Sequence, residues 1–128
     1  GPTQLIQGQN LDKPDITAPG VNICAAKSNP SAYENYKCLD GKHVSISGTS
    51  MSSPHIAGVA ALAKQMNPSL TPQEIKEAIM STSVDIGFSY DEQGAGRVDV
   101  NNLYQYIIGG DPTLIGCMDE TAYYRMHI

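Results

Sequence analysis

Short alternating runs occupy the first part of the chain, and helical periods occupy most of the rest. Residues 1–14 are polar and irregular. Asp15-Ile16-Thr17-Ala18 has the alternation of a short strand, and Pro19-Gly20 stops it. Val21 to Ala26 is a second apolar run of strand length. Residues 27–42 contain Asn29-Pro30 and Asp40-Gly41 and predict an exposed loop or hairpin. His43-Val44-Ser45-Ile46 alternates again and predicts another strand.

Gly48-Thr49-Ser50 comes next, and a helix follows from about Ser52-Ser53-Pro54 onward. Ile56, Ala57, Val59, Ala60, Ala61, Leu62, Ala63 and Met66 place small or apolar groups all round it. A helix with no polar stripe is expected to be buried on every side. Asn67-Pro68 ends it. Thr71-Pro72-Gln73-Glu74 then combines an N-cap threonine, a first-turn proline and a capping-box glutamate. That helix runs to about Ser81, with Ile75, Ala78 and Ile79 on its apolar face. Residues 94–100, Gly-Ala-Gly-Arg-Val-Asp-Val, read as a glycine-rich turn into a short extended piece. A final amphipathic helix spans roughly Asn101 to Ile108, with Leu103, Tyr104 and Ile107 inward. Gly109-Gly110-Asp111-Pro112 breaks it, and the tail to Ile128 has no clear period. Both an ordered arm and a disordered end stay open for that tail.

Composition narrows the function classes. A chain of 128 residues falls in the one-domain range. Only 16% of residues are charged, against about 25% in typical globular domains. The shortfall predicts neutral or apolar surface that something else covers. A formal net charge of −5 with scattered basic residues argues against nucleic acid as a partner. No apolar run approaches the ~20 residues of a membrane helix, and no signal peptide opens the sequence. Cys24, Cys38 and Cys117 leave at least one thiol unpaired, and their spacing fits no zinc pattern. A Cys24–Cys38 bridge would close a short loop and suit an oxidising compartment; the odd count leaves the pairing open. No ladder of Asp and Asn has calcium-loop spacing. No metal or cofactor is assigned.

Ser50, at the junction of strand and helix, is the candidate for chemistry. The first N–H groups of a helix lack intrahelical partners and, with the helix dipole, form a site for negative charge. A tetrahedral acyl-transfer intermediate carries its new charge beside the attacking oxygen, so the N–H of Ser50 suits an oxyanion donor. On local grounds alone, though, Gly-Thr-Ser before a helix is more often an N-cap.

The longer string decides between these readings. Residues 48–58, Gly-Thr-Ser-Met-Ser-Ser-Pro-His-Ile-Ala-Gly, resemble the nucleophile segment of the subtilisin-like serine proteases, Gly-Thr-Ser-Met-Ala-x-Pro-His-x-x-Gly. Ser52 in place of alanine is the one departure, a small residue for a small residue. Residues 13–21 resemble a second family segment at the expected distance upstream. Gly1-Pro2-Thr3 is similar to the end of the stretch just before it, and residues 94–100 resemble the segment that closes the catalytic domain. The resemblance covers residues 1 to about 108.

By position, the resemblance implies Ser50 as nucleophile, with its N–H as half of the oxyanion hole. It implies Met51 on the leaving-group side and Thr49 shaping the hole from behind. Gly48, Pro54, His55 and Gly58 are the structural members of the motif, with Gly58 admitting close packing of the helix on the sheet. The family's triad runs Asp, His, Ser along the chain. Its His-Gly-Thr-His and Asp-(Ser/Thr)-Gly signatures do not occur here, and its oxyanion Asn lies upstream. A local base does not replace them. His55 is five residues beyond Ser50, about 500° of helical rotation, and so roughly 140° off its face. His43 precedes the strand and reads as exposed, and His127 is in the unassigned tail. Asp15 and Asp99 read as turn or strand-end hydrogen bonders.

The expectation is therefore an α/β fold: the C-terminal part of a subtilisin-like parallel-sheet domain, with a buried central helix after the nucleophile. Residues 1–108 form an incomplete catalytic domain, and 109–128 an extension of unknown role. The implied function is a serine endopeptidase acting through an acyl-enzyme on Ser50, active when combined with an Asp- and His-bearing half and inactive alone. The rival is a non-catalytic pseudoprotease or interaction scaffold. The partners implied are that N-terminal half, a peptide or protein substrate, and a second copy through an exposed sheet edge. The resemblance favours an extracellular or cell-surface setting, with an intracellular one also open.

Overall fold

The computed structural model describes residues 13–27, 38, 40 and 42–109. Along these residues run strand β1 (Ile23–Ala26), strand β2 (His43–Ile46), helix α1 (Thr49–Met66), helix α2 (Pro72–Ser81), short helix α3 (Tyr90–Gln93) and helix α4 (Val100–Ile108). The chain divides into two compact units. Among the described residues, 19–52 belong to one, and 13–18 with 53–109 to the other.

In the first unit β1 and β2 pair antiparallel, with Ile23 opposite Ile46 and Ala26 opposite His43. Val44 is its buried apolar residue. The unit is also closed covalently: Cys24 and Cys38 form a disulfide with 6.3 Å between their Cα atoms. The pairing left open by the odd cysteine count is thus made, and Cys117 lies outside the described residues. The predicted loop or hairpin over 27–42 lies largely outside them too.

The expected parallel sheet is represented among the described residues by a single bridge, Thr17 to Arg97. The one sheet with defined strands is antiparallel. In the second unit, residues 96–98 lie between two neighbours. Thr17 N–H donates to Gly96 O at 2.9 Å and Val98 N–H to Thr17 O at 2.9 Å, while Arg97 exchanges backbone bonds with Val84 at 2.8 and 2.9 Å. The predicted strand at 15–18 and the predicted extended piece after Gly96 are therefore minimal ladders.

The core of that unit is Val59 and Ala63 from α1, Ala78 and Ile79 from α2, and Leu103 from α4, with Ile16, Ile75, Val98 and Ile107 around it. Leu103 is fully buried, a contribution of roughly 1.5–3 kcal/mol. The start of α2 is set as the sequence predicts. Thr71 accepts from Glu74 N–H at 3.3 Å and the Glu74 carboxylate accepts from Thr71 N–H at 2.7 Å. Asp99 caps α4 by accepting from Asn102 N–H at 2.9 Å, and Gly109 closes it in the left-handed region.

Burial of α1 on every side does not hold within this chain. Val59 and Ala63 are buried, whereas Ala57, Gly58, Ala61 and Leu62 are exposed. The core cluster takes one stripe of the helix, and among the described residues nothing covers the opposite one. The close packing expected at Gly58 is not met among the described residues, since apart from the neighbouring backbone of its own helix no atom lies within 4 Å of where a Cβ there would stand.

Candidate active site

Ser50 sits in the first turn of α1, four residues after β2 ends. The helix thus starts at Thr49, earlier than the sequence pattern suggests, and Pro54 is inside it rather than at its entrance. Pro54 has no N–H to give to the carbonyl four residues before it, that of Ser50. The turn bearing the serine is therefore fixed by other contacts.

Those contacts come from the segment before β1. Gly48 N–H donates to Gly20 O at 2.7 Å, Met51 N–H donates to Gly48 O at 3.0 Å, and Asn22 N–H donates to Ser47 Oγ at 2.8 Å. Gly48 has φ of 155°, a conformation that residues with a side chain rarely adopt. Gly20 is required for a different reason: a Cβ there would lie 2.3 Å from Ser52 Oγ and 2.9 Å from Gly48 O. The Pro19-Gly20 turn presses against the nucleophile turn, and two glycines let the backbones meet.

Thr49 and Ser50 are exposed, and Met51 and Ser52 are half-buried. The Met51 N–H is committed to Gly48 O, whereas among the described residues the Ser50 N–H and hydroxyl have no partner. No acidic side chain stands in the first turn of α1 to oppose negative charge there. The turn thus offers a hydroxyl, a backbone donor beside it and the positive end of an 18-residue helix. That combination suits attack on a carbonyl and stabilisation of the resulting oxyanion.

The other candidates fall elsewhere. His55 and Gly58 lie on α1 within the second unit, His55 half-buried and Gly58 exposed. His43 Nδ1 pairs with the Asp40 carboxylate, and its side chain is 45% exposed. Hydrogen bonds from the Lys42 backbone N–H, the His43 ring and the His43 backbone N–H hold the Asp40 carboxyl below its usual range. His127 lies outside the described residues. Asp15 is bound by Lys13 and, at 3.0 Å, by Lys76. Burial pushes its carboxyl up, but the two lysines outweigh that and hold it below the ordinary carboxylate range. A groove of about 270 Å³, lined by Ile16, Ile56, Ala60, Ile75 and Ile79, is an interhelical gap with no residue of the nucleophile turn in its wall. Among the described residues no group of three or more His, Cys, Asp or Glu is gathered for a metal, and no helix is long and apolar enough to cross a membrane.

Sequence reasoning missed the partners of the turn. Gly20 was legible as a strand stop, yet its role is close approach to Gly48 and Ser52. A glycine directly after proline in an otherwise apolar stretch is the available signal.

Known proteins are similar to this chain in sequence and in fold. A sequence profile of the subtilase family, peptidase S8, matches residues 1–105. Subtilisin-like protease SBT4.3 of Arabidopsis thaliana is 36% identical over 135 residues, which covers 98% of this chain and 17% of that protein. Serine protease AprX of Bacillus subtilis (strain 168) is 41% identical over 97 residues, covering 71% of this chain and 22% of that protein. The chain thus spans roughly a fifth of the length of these relatives. The solved structure of the Clostridium perfringens CspB protease matches with a TM-score of 0.61 at 24% identity, over 83% of this chain and 23% of that one, and shows the α/β subtilisin-like fold. The self-cleaved protease domain of PatA matches with a TM-score of 0.52 at 28% identity, over 73% of this chain and 31% of that one. One profile takes in all but the last 23 of the 128 residues (128 − 105), and on that ground the chain belongs to the subtilase family.

Proposed function

We propose that Ser50 is the nucleophile of a serine endopeptidase, and that the aspartate and histidine of its triad come from a preceding half of the same domain. The Ser50 hydroxyl oxygen attacks the scissile carbonyl carbon while the histidine of that half takes its proton. The new oxyanion accepts from the Ser50 N–H, with the family's upstream asparagine as the second donor. Collapse expels the amine, which leaves with the histidine's proton. Water then hydrolyses the acyl-enzyme by the same route. Met51 borders the leaving-group side and Thr49 backs the oxyanion hole.

The observation that carries this reading is the exposed Ser50 in the first turn of α1, with its N–H lacking an acceptor among the described residues. The family supports it, and so does the uncovered stripe of α1. Ala57, Gly58, Ala61 and Leu62 form a surface of the kind a preceding half of the domain would bury.

The test is labelling of the full-length protein by a fluorophosphonate. Covalent modification of Ser50, lost in Ser50→Ala, is the expected result. An intact, folded full-length protein that takes no label would overturn the proposal in favour of a non-catalytic scaffold.

A further inference from the structure

Gly20, Asn22 and β1 form the outer support of the segment that carries the nucleophile. Gly20 O receives Gly48 N–H, Asn22 N–H reaches Ser47 Oγ, and β1 pairs residue by residue with β2. Cys24 lies in the middle of this support, opposite Ser45. Its disulfide partner, Cys38, donates its own N–H to His43 O at 3.1 Å, the first residue of β2. The cross-link therefore ties both borders of β2 together across a 14-residue separation. A cross-link that closes a loop of that size limits the conformations open to the chain. Among the described residues little else holds the unit: Val44 is its one buried hydrophobic residue, and the main core cluster lies outside residues 19–52. Cys24 is exposed, and exposed disulfides are the ones thiols reach and reduce.

We propose that the Cys24–Cys38 disulfide is a redox-sensitive brace for the nucleophile turn. Closed, it holds Gly48 and Ser50 in register; opened by a dithiol, it lets β1 slacken and Ser50 lose its placement while the main core stays folded. In the step, a thiolate of the dithiol attacks one sulfur and forms a mixed disulfide. The reductant's second thiol then attacks the reductant's own sulfur in that mixed disulfide, expelling the remaining protein cysteine as a thiolate while the reductant departs as a cyclic disulfide. Two electrons and two protons pass to the protein, leaving Cys24 and Cys38 as thiols. The effect on reactivity rests on Ser50 being the nucleophile; the effect on the hairpin does not.

The experiment uses the full-length protein, oxidised or treated with dithiothreitol, with the state of the Cys24–Cys38 bond read by mass spectrometry. Two rates are followed: fluorophosphonate labelling, and amide hydrogen exchange of residues 43–48. Reduction is expected to speed that exchange and to slow labelling by up to about 10²-fold, the cost of a displacement near 1 Å. Reoxidation should restore both. The Cys24→Ser/Cys38→Ser variant should exchange fast at 43–48 and show no further response to the reductant. Unchanged exchange at 43–48 after verified reduction would overturn the proposal. So would a response to reductant in the double variant as large as in the wild type, since another disulfide would then be responsible. If the oxidised protein takes no label at all, the nucleophile assignment fails, and the exchange measurement alone decides the brace.

Discussion

The amide of Gly48 is bonded to the carbonyl of Gly20 at 2.7 Å, across 28 residues of sequence (48 − 20). That bond anchors the backbone two residues before Ser50, at the point where strand geometry gives way to helix. The serine's placement therefore depends on a segment far from it in sequence, and on both residues lacking a side chain.

Replacement of Gly20 by alanine should displace the turn. The added Cβ would stand 2.3 Å from Ser52 Oγ and 2.9 Å from Gly48 O. Overpacking of this kind costs typically about 1–3 kcal/mol, and here the strain falls on the serine's own turn. Fluorophosphonate labelling of full-length Gly20→Ala should slow markedly. Adding Ser52→Ala removes the nearer clash and leaves the backbone one, so the double variant should recover part of the rate. Wild-type labelling in Gly20→Ala would refute the account.

How far the sequence foretold this differs by element. The start of α2 was fully legible, because Thr71, Pro72 and Glu74 each act within one turn. The end of α4 was legible for the same reason, in Gly109. The short α3 went unread although Ser89 and Glu92 carry a capping box, because four residues are too few to establish a period. Burial of α1 is complete on only one stripe here, since composition reports what a helix is suited to face, not what is present among the described residues to face it. At the site, Ser50 was found through the eleven-residue string about it, while Gly20 and Asn22 act through contacts no local pattern encodes.

The isolated 128 residues should not hydrolyse peptides. Loss of a single triad member lowers kcat by roughly 10⁴–10⁶, and this chain carries neither the aspartate nor the histidine signature of its family. A chromogenic peptide assay of the purified chain should read at background, with Ser50→Ala indistinguishable from it. Turnover abolished by that substitution would show that a base resides within these residues after all.

Asp15 should make stability fall in acid. Its carboxyl is held below the ordinary range, burial notwithstanding, by Lys13 and Lys76. A carboxylate with a depressed folded pKa adds stability above its unfolded pKa of about 3.9, and that stability drains away as pH drops through the folded value. Asp15→Asn should thus melt below the wild type at pH 6, and the gap should narrow steadily below about pH 4. A gap of constant size down to pH 2 would mean that the lysines contribute nothing to it.

Gln93 holds the loop from Asp85 to Phe88 by its side chain. Its Oε1 accepts from Ile86 N–H at 2.9 Å, and its Nε2 donates to Asp85 Oδ1 at 2.8 Å and to Phe88 O at 2.6 Å. Its backbone carbonyl meanwhile accepts from Thr17 Oγ1 at 3.0 Å. The residue is buried, at 7% exposure, so these bonds have no ready substitute in water. Gln93→Leu keeps most of the volume but strands the Ile86 amide and the Phe88 carbonyl, which should cost about 1–3 kcal/mol. The loss should concentrate in the loop, where Phe88 is already exposed. Limited digestion with chymotrypsin should accelerate at Phe88 in the variant, while helices α2 and α4, which bring Ala78 and Leu103 to the core, keep their amide protection. Uniform loss of protection across both would mean that Gln93 supports the whole unit rather than the loop it binds.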